Sequence, residues 1–512
     1  MYKKFILYLL LVSLVSCNDL LEEKSYSSLT VDSFYNNATE GNQAVVGIYS
    51  MLTIPNYYKR ALTHITGFTS DESYHPGAAF APFDNNDLVP TNSVVTDLWN
   101  AIFNLHGRAN FAVKAIENSE GISDDDKPLM LARIRFVRAL NLYNAVRFWG
   151  DIPLVKEYSV DEDTWYPART PKAEVYAYIE EDLKYCAEIL PVTETNYGYP
   201  TQGAALGLLG KVYMSEEKWD DAKTVIDEVI ALKVYALLDT YDEVFDIAKE
   251  NNKEEIFAIQ FKKDDAVAAE NSLGSLLPFW YLPAFNTLGY TANPDHPKGQ
   301  MRVEHATYDR YTTGDYKSDN RNLIFITQYV NSNSATGALV KRYPLNKAVA
   351  AQGPAVSKYK DPTNNNDRNY DNNLYILRYA DILLMKAEVE NEINDGPTDA
   401  AYAAFNEVRT RSNAVSLATG LSQDEFRDAV SSERGIELYG ESQRWFDQTR
   451  MKRSNGDSYY KYWKNAVNIA AYTKFNESQW TVYYSKMELM PIPTSEMAIN
   501  PNITVADQNP GY

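Results

Sequence analysis

The chain has 512 residues, 45% of them apolar and 23% charged, a balance that fits a globular protein and excludes a disordered one. Lys and Arg total 49 against 69 Asp and Glu, and the formal charge of −20 argues against a nucleic-acid binder, because phosphate contacts need basic side chains. Tyr outnumbers Phe 39 to 19. Such an excess suits either a binding surface, where a ring is apolar on its face and wet at its tip, or tyrosines that coat helix seams.

Residues 1–17 read MYKKFILYLLLVSLVSC. Lys3 and Lys4 precede a short apolar run, Phe5 to Val12, too short to span a bilayer; the pattern is that of a secretory signal. Leu14-Val15-Ser16-Cys17 resembles a bacterial lipobox, in which the Cys becomes the first mature residue and carries a diacylglycerol. Residues 1–16 are therefore expected to be a signal peptide and Cys17 the lipidation site. No later segment offers about 18 uninterrupted apolar residues, so the body is predicted to be soluble and tethered by lipid. The one other cysteine, Cys186, reads as a small buried hydrophobe on a helix.

Along the chain, residues 67–98 are rich in Gly, Pro, Asn and Asp and keep no period. Trp99 precedes an apolar helix (Ile102, Leu105, Ala109) and reads as core. Residues 129–148 carry an apolar stripe through Ile134, Val137, Leu140 and Val146, opened by Pro128 behind three aspartates and closed by Gly150 and Pro153. Residues 172–190 form a second helix between Pro171 and Pro191. Residues 203–232 read as a helical hairpin whose Gly210 and Ala222 permit close approach, with offsets that resemble a tetratricopeptide repeat. Glu255 to Phe261 and Leu323 to Val330 alternate as short strands do. Residues 263–372 are otherwise irregular, and a block of that length is usually functional or a lobe of its own. Residues 374–393 and 398–413 read as another helix pair. Stacked pairs would bury a continuous core.

Catalytic and metal signatures are missing. The five histidines form no HxH or HExxH pair, and neither a GxSxG elbow nor a phosphate loop occurs. The densest carboxylate cluster is Glu433, Glu437 and Glu441, spaced i, i+4 among Arg434, Arg444 and Arg450. Neighbouring guanidinium groups would hold these carboxylates ionised, so the cluster reads as an ion-pair network and not as a general acid. No catalytic residue, metal ligand or cofactor is assigned.

Several segments in order resemble the SusD/RagB family of Bacteroidetes outer-membrane lipoproteins. They are Arg138-Ala139 with Arg147-Phe148-Trp149-Gly150-Asp151-Ile152-Pro153, Arg169-Thr170-Pro171, Leu377-Arg378-Tyr379-Ala380-Asp381 with Glu388, Asn406 to Arg411, Glu433-Arg434 to Asp447, and the ending Pro491 to Tyr512. The acidic residues Asp19, Glu22 and Glu23 resemble the export signal of such lipoproteins to the outer face, or they are a solvated tether. The resemblance implies a mainly α, SusD-like fold: a scaffold of tetratricopeptide-like helical hairpins with a large irregular, loop-rich lobe. On it we divide the chain into the signal peptide (1–16), an N-terminal SusD-like part (17–262), the irregular lobe (263–372) and a C-terminal part returning to the scaffold (373–512), all one compact unit. Arg147, Trp149, Asp151, Arg378, Glu388 and Arg444 are then scaffold residues. The implied function is glycan capture at the cell exterior, without catalysis, and delivery to a SusC-like TonB-dependent transporter. RagB-like peptide capture is the alternative, and a glycoside hydrolase stands behind both.

A neutral sugar offers apolar CH faces to aromatic rings and a hydroxyl rim to polar groups. Two stretches supply both. The first holds Asp71, Tyr74, His75, Phe80, Phe83, Asn85 and Asn86, and within it Ser70-Asp71-Glu72 resembles the family's Ser-Asp-Glu, where Asp71 would accept from sugar hydroxyls. The second holds Phe279-Trp280-Tyr281, Phe285, Asn286, Tyr290, Arg302, Tyr308 and Tyr311. Phe80, Phe83, Phe279 and Phe285 read as plugs of the lobe's own core. Asp71, Tyr74, Trp280, Tyr281, Tyr290 and Arg302 are the ligand-binding candidates, although Tyr74, Trp280, Tyr281 and Tyr290 could equally be core.

Overall fold

The computed structural model describes residues 35–75, 80–84, 87–264, 273–282, 300–330, 339–341, 354–361, 369–461, 486 and 488–512. The expectations placed on Cys17, Asn85, Asn86, Phe285, Asn286 and Tyr290 lie outside the described residues.

Local capping chemistry sets the helix ends. α1 (Ala38–Ser50) starts at Asn37, whose side chain accepts from Glu40 N. α2 (Ala61–Thr69) is buried on every side. After the two-residue strand β1 (Ser73–Tyr74) comes α3 (Ser93–Asn118), capped by Asn92. α4 (Lys127–Trp149) carries Pro128 in its first turn and stops at Gly150, whose φ of +71° lies in the left-handed region that favours glycine. Strands β2 (Ile152–Pro153) and β3 (Arg169–Thr170) pair antiparallel ahead of α5 (Lys172–Ile189). The hairpin predicted over 203–232 is α6 (Gln202–Ser215), capped by Thr201, and α7 (Trp219–Ala231).

Shorter elements follow: β4 (Glu255–Ile259), α8 (Leu277–Tyr281), β5 (Arg302–Val303), α9 (His305–Thr312), β6 (Phe325–Ile326), β7 (Gln328–Val330), β8 (Leu339–Lys341) and β9 (Ala355–Val356). The chain then returns to the scaffold through β10 (Leu374–Arg378), α10 (Tyr379–Ile393), α11 (Asp399–Arg411), α12 (Gln423–Glu437) and α13 (Arg444–Arg450). Among the described residues, every sheet is a two-stranded ribbon: β1–β5, β2–β3, β4–β10, β6–β9 and β7–β8.

The helices stack in series, α3 on α4, α4 on α5, α5 on α6, α6 on α7, α7 on α10, and α10 on both α11 and α12. The fold is mainly α, as expected: a helical scaffold with short two-stranded ribbons. Its main core runs from Val45 to Ile503, and a second cluster (Ala380, Leu384, Phe405, Phe426, Val430) joins α10, α11 and α12. Gly207 admits the return of the chain: a Cβ there would come within 2.3 Å of Leu377 Cδ2. No described helix is long and apolar enough to cross a membrane.

Two expectations change. Residues 374–378, read as the start of a helix, are the strand β10, paired antiparallel with β4 across more than a hundred residues of chain. The stretches read as irregular contain regular pieces: the C-terminal end of α2 and the start of α3 fall in 67–98, and α8 and α9 in 263–372. Cys186 is buried and its thiol donates to Ala132 O.

Candidate functional site

The two aromatic-rich stretches come together. β1 pairs with β5 so that Tyr74 faces Arg302, Met301 N donates to Trp280 O at 2.9 Å, and Glu304 N donates to Glu72 O at 2.9 Å. Segments 71–75, 279–282 and 301–312 thus form one wall although they are far apart in the chain. Behind it His64 of α2 meets Trp280 edge-on at 4.3 Å and Phe80 at 4.6 Å, and Phe68 and His75 close on Phe80. His75, Phe80, His305 and Tyr308 are only half-buried along this wall.

The candidates occupy it differently from the expectation. Asp71 is 1% exposed, and its carboxylate is taken by Arg444 (Nε to Oδ1 2.7 Å, Nη2 to Oδ2 2.9 Å) and Arg310 (Nη1 to Oδ2 3.0 Å). Burial pushes this carboxyl up, but the two guanidinium groups outweigh it and hold it well below the usual carboxylate range. Asp71 is a clamp between the wall and the helices, not an open acceptor for sugar hydroxyls. Tyr281 is 1% exposed, packed on Tyr359 and Tyr439, with its hydroxyl directed to Gly440 O. Trp280, Tyr74 and Arg302 are buried too. Trp280 and Tyr281 read equally as ligand contacts or as core, and both rings are enclosed in this structure. The rings that cover them come from distant segments: His64 on Trp280, and Tyr359 and Tyr439 on Tyr281. Trp280 Nε1 and both ring nitrogens of His64 are buried without a hydrogen-bond partner, and burial pushes the His64 imidazole far below its ordinary value.

Sequence reasoning passed over Glu72, His64 and Tyr439. Ser73 Oγ lies 2.7 Å from Tyr439 Oη, and that hydroxyl donates to Glu72 O. The Glu72 carboxyl receives only long bonds from Gly440 N, 3.4 Å to each oxygen, and burial pushes it up to about 8 against the pull of Arg444. Glu72 lies in the Ser70-Asp71-Glu72 motif, but its carboxyl's contact with Gly440, like that of Ser73 with Tyr439, joins residues far apart in sequence and no local pattern marks it.

The carboxylate cluster of α12 is an ion-pair network. Arg378 donates to Glu254 (2.7 Å), Glu437 (3.1 Å) and Glu441 (2.8 Å). Arg321 binds Glu433 at 2.5 Å and Glu437 at 2.9 Å, Arg409 binds Glu433 at 2.7 Å, and Lys358 binds Glu441 at 2.6 Å. Burial raises the Glu437 carboxyl, but Arg411, Arg378 and Arg321 more than reverse it and keep it ionised. A general acid needs the opposite setting. The other family-marked residues also sit in the scaffold: Trp149 Nε1 donates to Pro491 O, Asp151 accepts from Lys172 N, and Glu388 pairs with Arg450. No group of three His, Cys, Asp or Glu among the described residues is placed to hold a metal ion.

The sequence pattern of the SusD family matches residues 307–512, and a second pattern, described as starch-binding associating with outer membrane, matches residues 19–214. A SusD-like protein of Formosa agariphila is 27% identical and aligns over 100% of this chain and 99% of its own. A crystal structure of a SusD homolog from Bacteroides thetaiotaomicron superposes with a TM-score of 0.79 at 25% identity, covering 94% of this chain and 98% of that one. The surface glycan-binding protein A of the same organism, solved with laminarihexaose, has the same fold: TM-score 0.69, 21% identity, 93% of this chain and 99% of that one.

Proposed function

The chain belongs to the SusD/RagB family, and on that premise we propose that it is a cell-surface glycan-binding lipoprotein that captures oligosaccharides without cleaving them. The observation that carries this reading is the wall built from segments 71–75, 279–282 and 301–312. Four rings on or beside these paired segments stay half-buried: His75, which packs on Phe80 at 5.1 Å, His305, which packs on Tyr74 at 6.0 Å, and Tyr308; a partly open ring with polar groups near it suits a sugar's CH face. Trp280 packs on His64, which in turn meets Phe80, and Tyr281 packs on Tyr359 and Tyr439, so both act through the packing and not on ligand. Of the other candidates, Tyr74 and Arg302 join two of the wall's segments through the β1–β5 pair. The α12 carboxylates are engaged in ion pairs, which favours binding over hydrolysis.

In this reading Cys17 carries the lipid, the protein faces the exterior of the outer membrane, and a SusC-like TonB-dependent transporter receives the glycan. The starch-binding, outer-membrane description of the pattern over residues 19–214 and the laminarihexaose complex of a neighbour of like fold support it. The test is a glycan array probed with the mature chain, followed by titration of the retained oligosaccharide into Tyr308→Ala and Phe80→Ala. Affinity should fall at least tenfold in each. Equal affinity in both variants would remove the site assignment, and product release from the oligosaccharide would replace capture by hydrolysis.

A further inference from the structure

A cavity of about 230 Å3 lies on the helical scaffold, between the α5–α6 connection, the residues after α7, and the stretch that leads into β4. No residue of the wall described above lines it.

Three tyrosines shape it. Tyr199 is fixed, with the Arg133 guanidinium 3.8 Å from its ring centre and Tyr49 edge-on at 5.4 Å. Tyr235 is fixed by its hydroxyl, 2.6 Å from Thr201 Oγ1. Tyr197 is 58% exposed, an open ring at the rim. Two held rings and one open one form a platform that loses little side-chain freedom when a ligand settles on it.

The polar lining is amide-rich. Asn251 stands at φ +61°, a left-handed position that Asn tolerates, and Glu255 Oε1 holds it there by accepting from Asn251 N at 2.7 Å and from Asn252 Nδ2 at 3.0 Å. Glu255 Oε2 is buried and has no partner. Burial, with Glu250 adding to it, pushes this carboxyl up to about 8, so it is largely protonated and uncharged at neutral pH. Gln260 accepts from Asn373 Nδ2 through Oε1, which leaves its Nε2 donors for the cavity. The other lining carboxylate, Glu194, is paired with Arg133 at 2.7 Å. The two lining carboxylates are thus paired or uncharged, the exposed Lys253 adds one positive charge, and the polar remainder is hydroxyl and amide groups. That chemistry matches a neutral polyhydroxylated ring, with a CH face on Tyr197 and hydroxyls toward Asn251 and Gln260.

We infer that this cavity is a second site for a neutral sugar residue, carried by the scaffold and separate from the wall, so that one chain holds a glycan at two points. The inference rests on the glycan-capture reading and adds a valency to it. Two linked sites raise the avidity for a long chain without raising the affinity of either.

The experiment uses the full mature chain and an array of neutral oligosaccharides that includes laminarihexaose. Calorimetric titration of the retained oligosaccharide should give two sites per chain for the wild type and one for Tyr197→Ala or Gln260→Ala. Tyr308→Ala should also give one, and the double variant Tyr197→Ala/Tyr308→Ala none. Tyr197→Ala should melt within about 1 °C of the wild type, because its ring is mostly exposed. One site in the wild type, abolished by Tyr308→Ala and untouched by Tyr197→Ala, would overturn the second site and keep the function. No retention of any oligosaccharide by the wild type would overturn both. Loss of a co-purifying membrane protein in Tyr197→Ala, with two glycan sites intact, would overturn the inference in favour of a protein contact.

Discussion

Replacing Asp71 with Asn tests the central correction, that this residue clamps the fold and does not meet ligand. Its carboxylate and the Arg444 guanidinium are each 1% exposed at the side chain and share two bonds of 2.7 and 2.9 Å, with Arg310 as a third donor at 3.0 Å. Asparagine keeps the shape, removes the charge and turns one acceptor into a donor facing a donor. Arg444 is then buried beside Arg310 without its counter-charge. Breaking one partner of a buried pair costs about 3–5 kcal/mol. At about 2.1 cal/mol/K per residue, a chain of this length has an unfolding entropy of roughly 1 kcal/mol/K, so the melting temperature should fall by about 3–5 °C.

Scanning calorimetry of Asp71→Asn and wild type at pH 7 reads this directly. The pH dependence supplies an independent check. A carboxyl lowered in the fold contributes stability that is present above its unfolded value, about 3.9, and is lost as pH falls through the folded one. The gap between the two proteins should therefore narrow as the scans move from pH 5 toward pH 3. An unchanged melting temperature at pH 7 together with a large loss of glycan affinity would refute the clamp and restore Asp71 as a ligand contact.

Other outcomes follow from the same structure. Glu72 is raised to about 8, so between roughly pH 4.5 and 8 the folded chain binds more protons than the unfolded one and stability declines as pH rises; Glu72→Gln should flatten that slope in denaturant titrations from pH 5 to 8.5. Arg378→Ala leaves Glu254, Glu437 and Glu441 without their shared donor and should lower the denaturation midpoint by at least as much as Asp71→Asn, and Arg378→Lys should rescue little because its point charge cannot span three carboxylates. Tyr281→Ala should cost about 3–5 kcal/mol in stability as a buried aromatic truncation, whereas Tyr308→Ala should lower glycan affinity with a near-native melting temperature; the reverse pattern would invert the roles assigned to the two rings.

Much of the scaffold is legible in local sequence. The stripe over 129–148 with Pro128 before it and Gly150 after it became α4, and the hairpin over 203–232 became α6 and α7. Periodicity, caps and breakers act over a few residues, so they can be read without the rest of the chain. The α12 network was half legible. The spacing of Glu433, Glu437 and Glu441 announced ion pairs, but the nearby Arg434 turns to Asp381 and Asp447, and the carboxylates are met by Arg321, Arg378, Arg409 and Arg411 from other elements.

The roles of the remaining residues come from long-range packing. Leu374–Arg378 is a strand because β4 waits beside it. Asp71 is a clamp because Arg444, 373 residues later, reaches it. Trp280 and Tyr281 carry the composition of a binding platform, yet the chain around them closes over both rings. Whether an aromatic ring stacks on ligand or fills a core depends on what covers it, and what covers it is set by partners that no local pattern encodes.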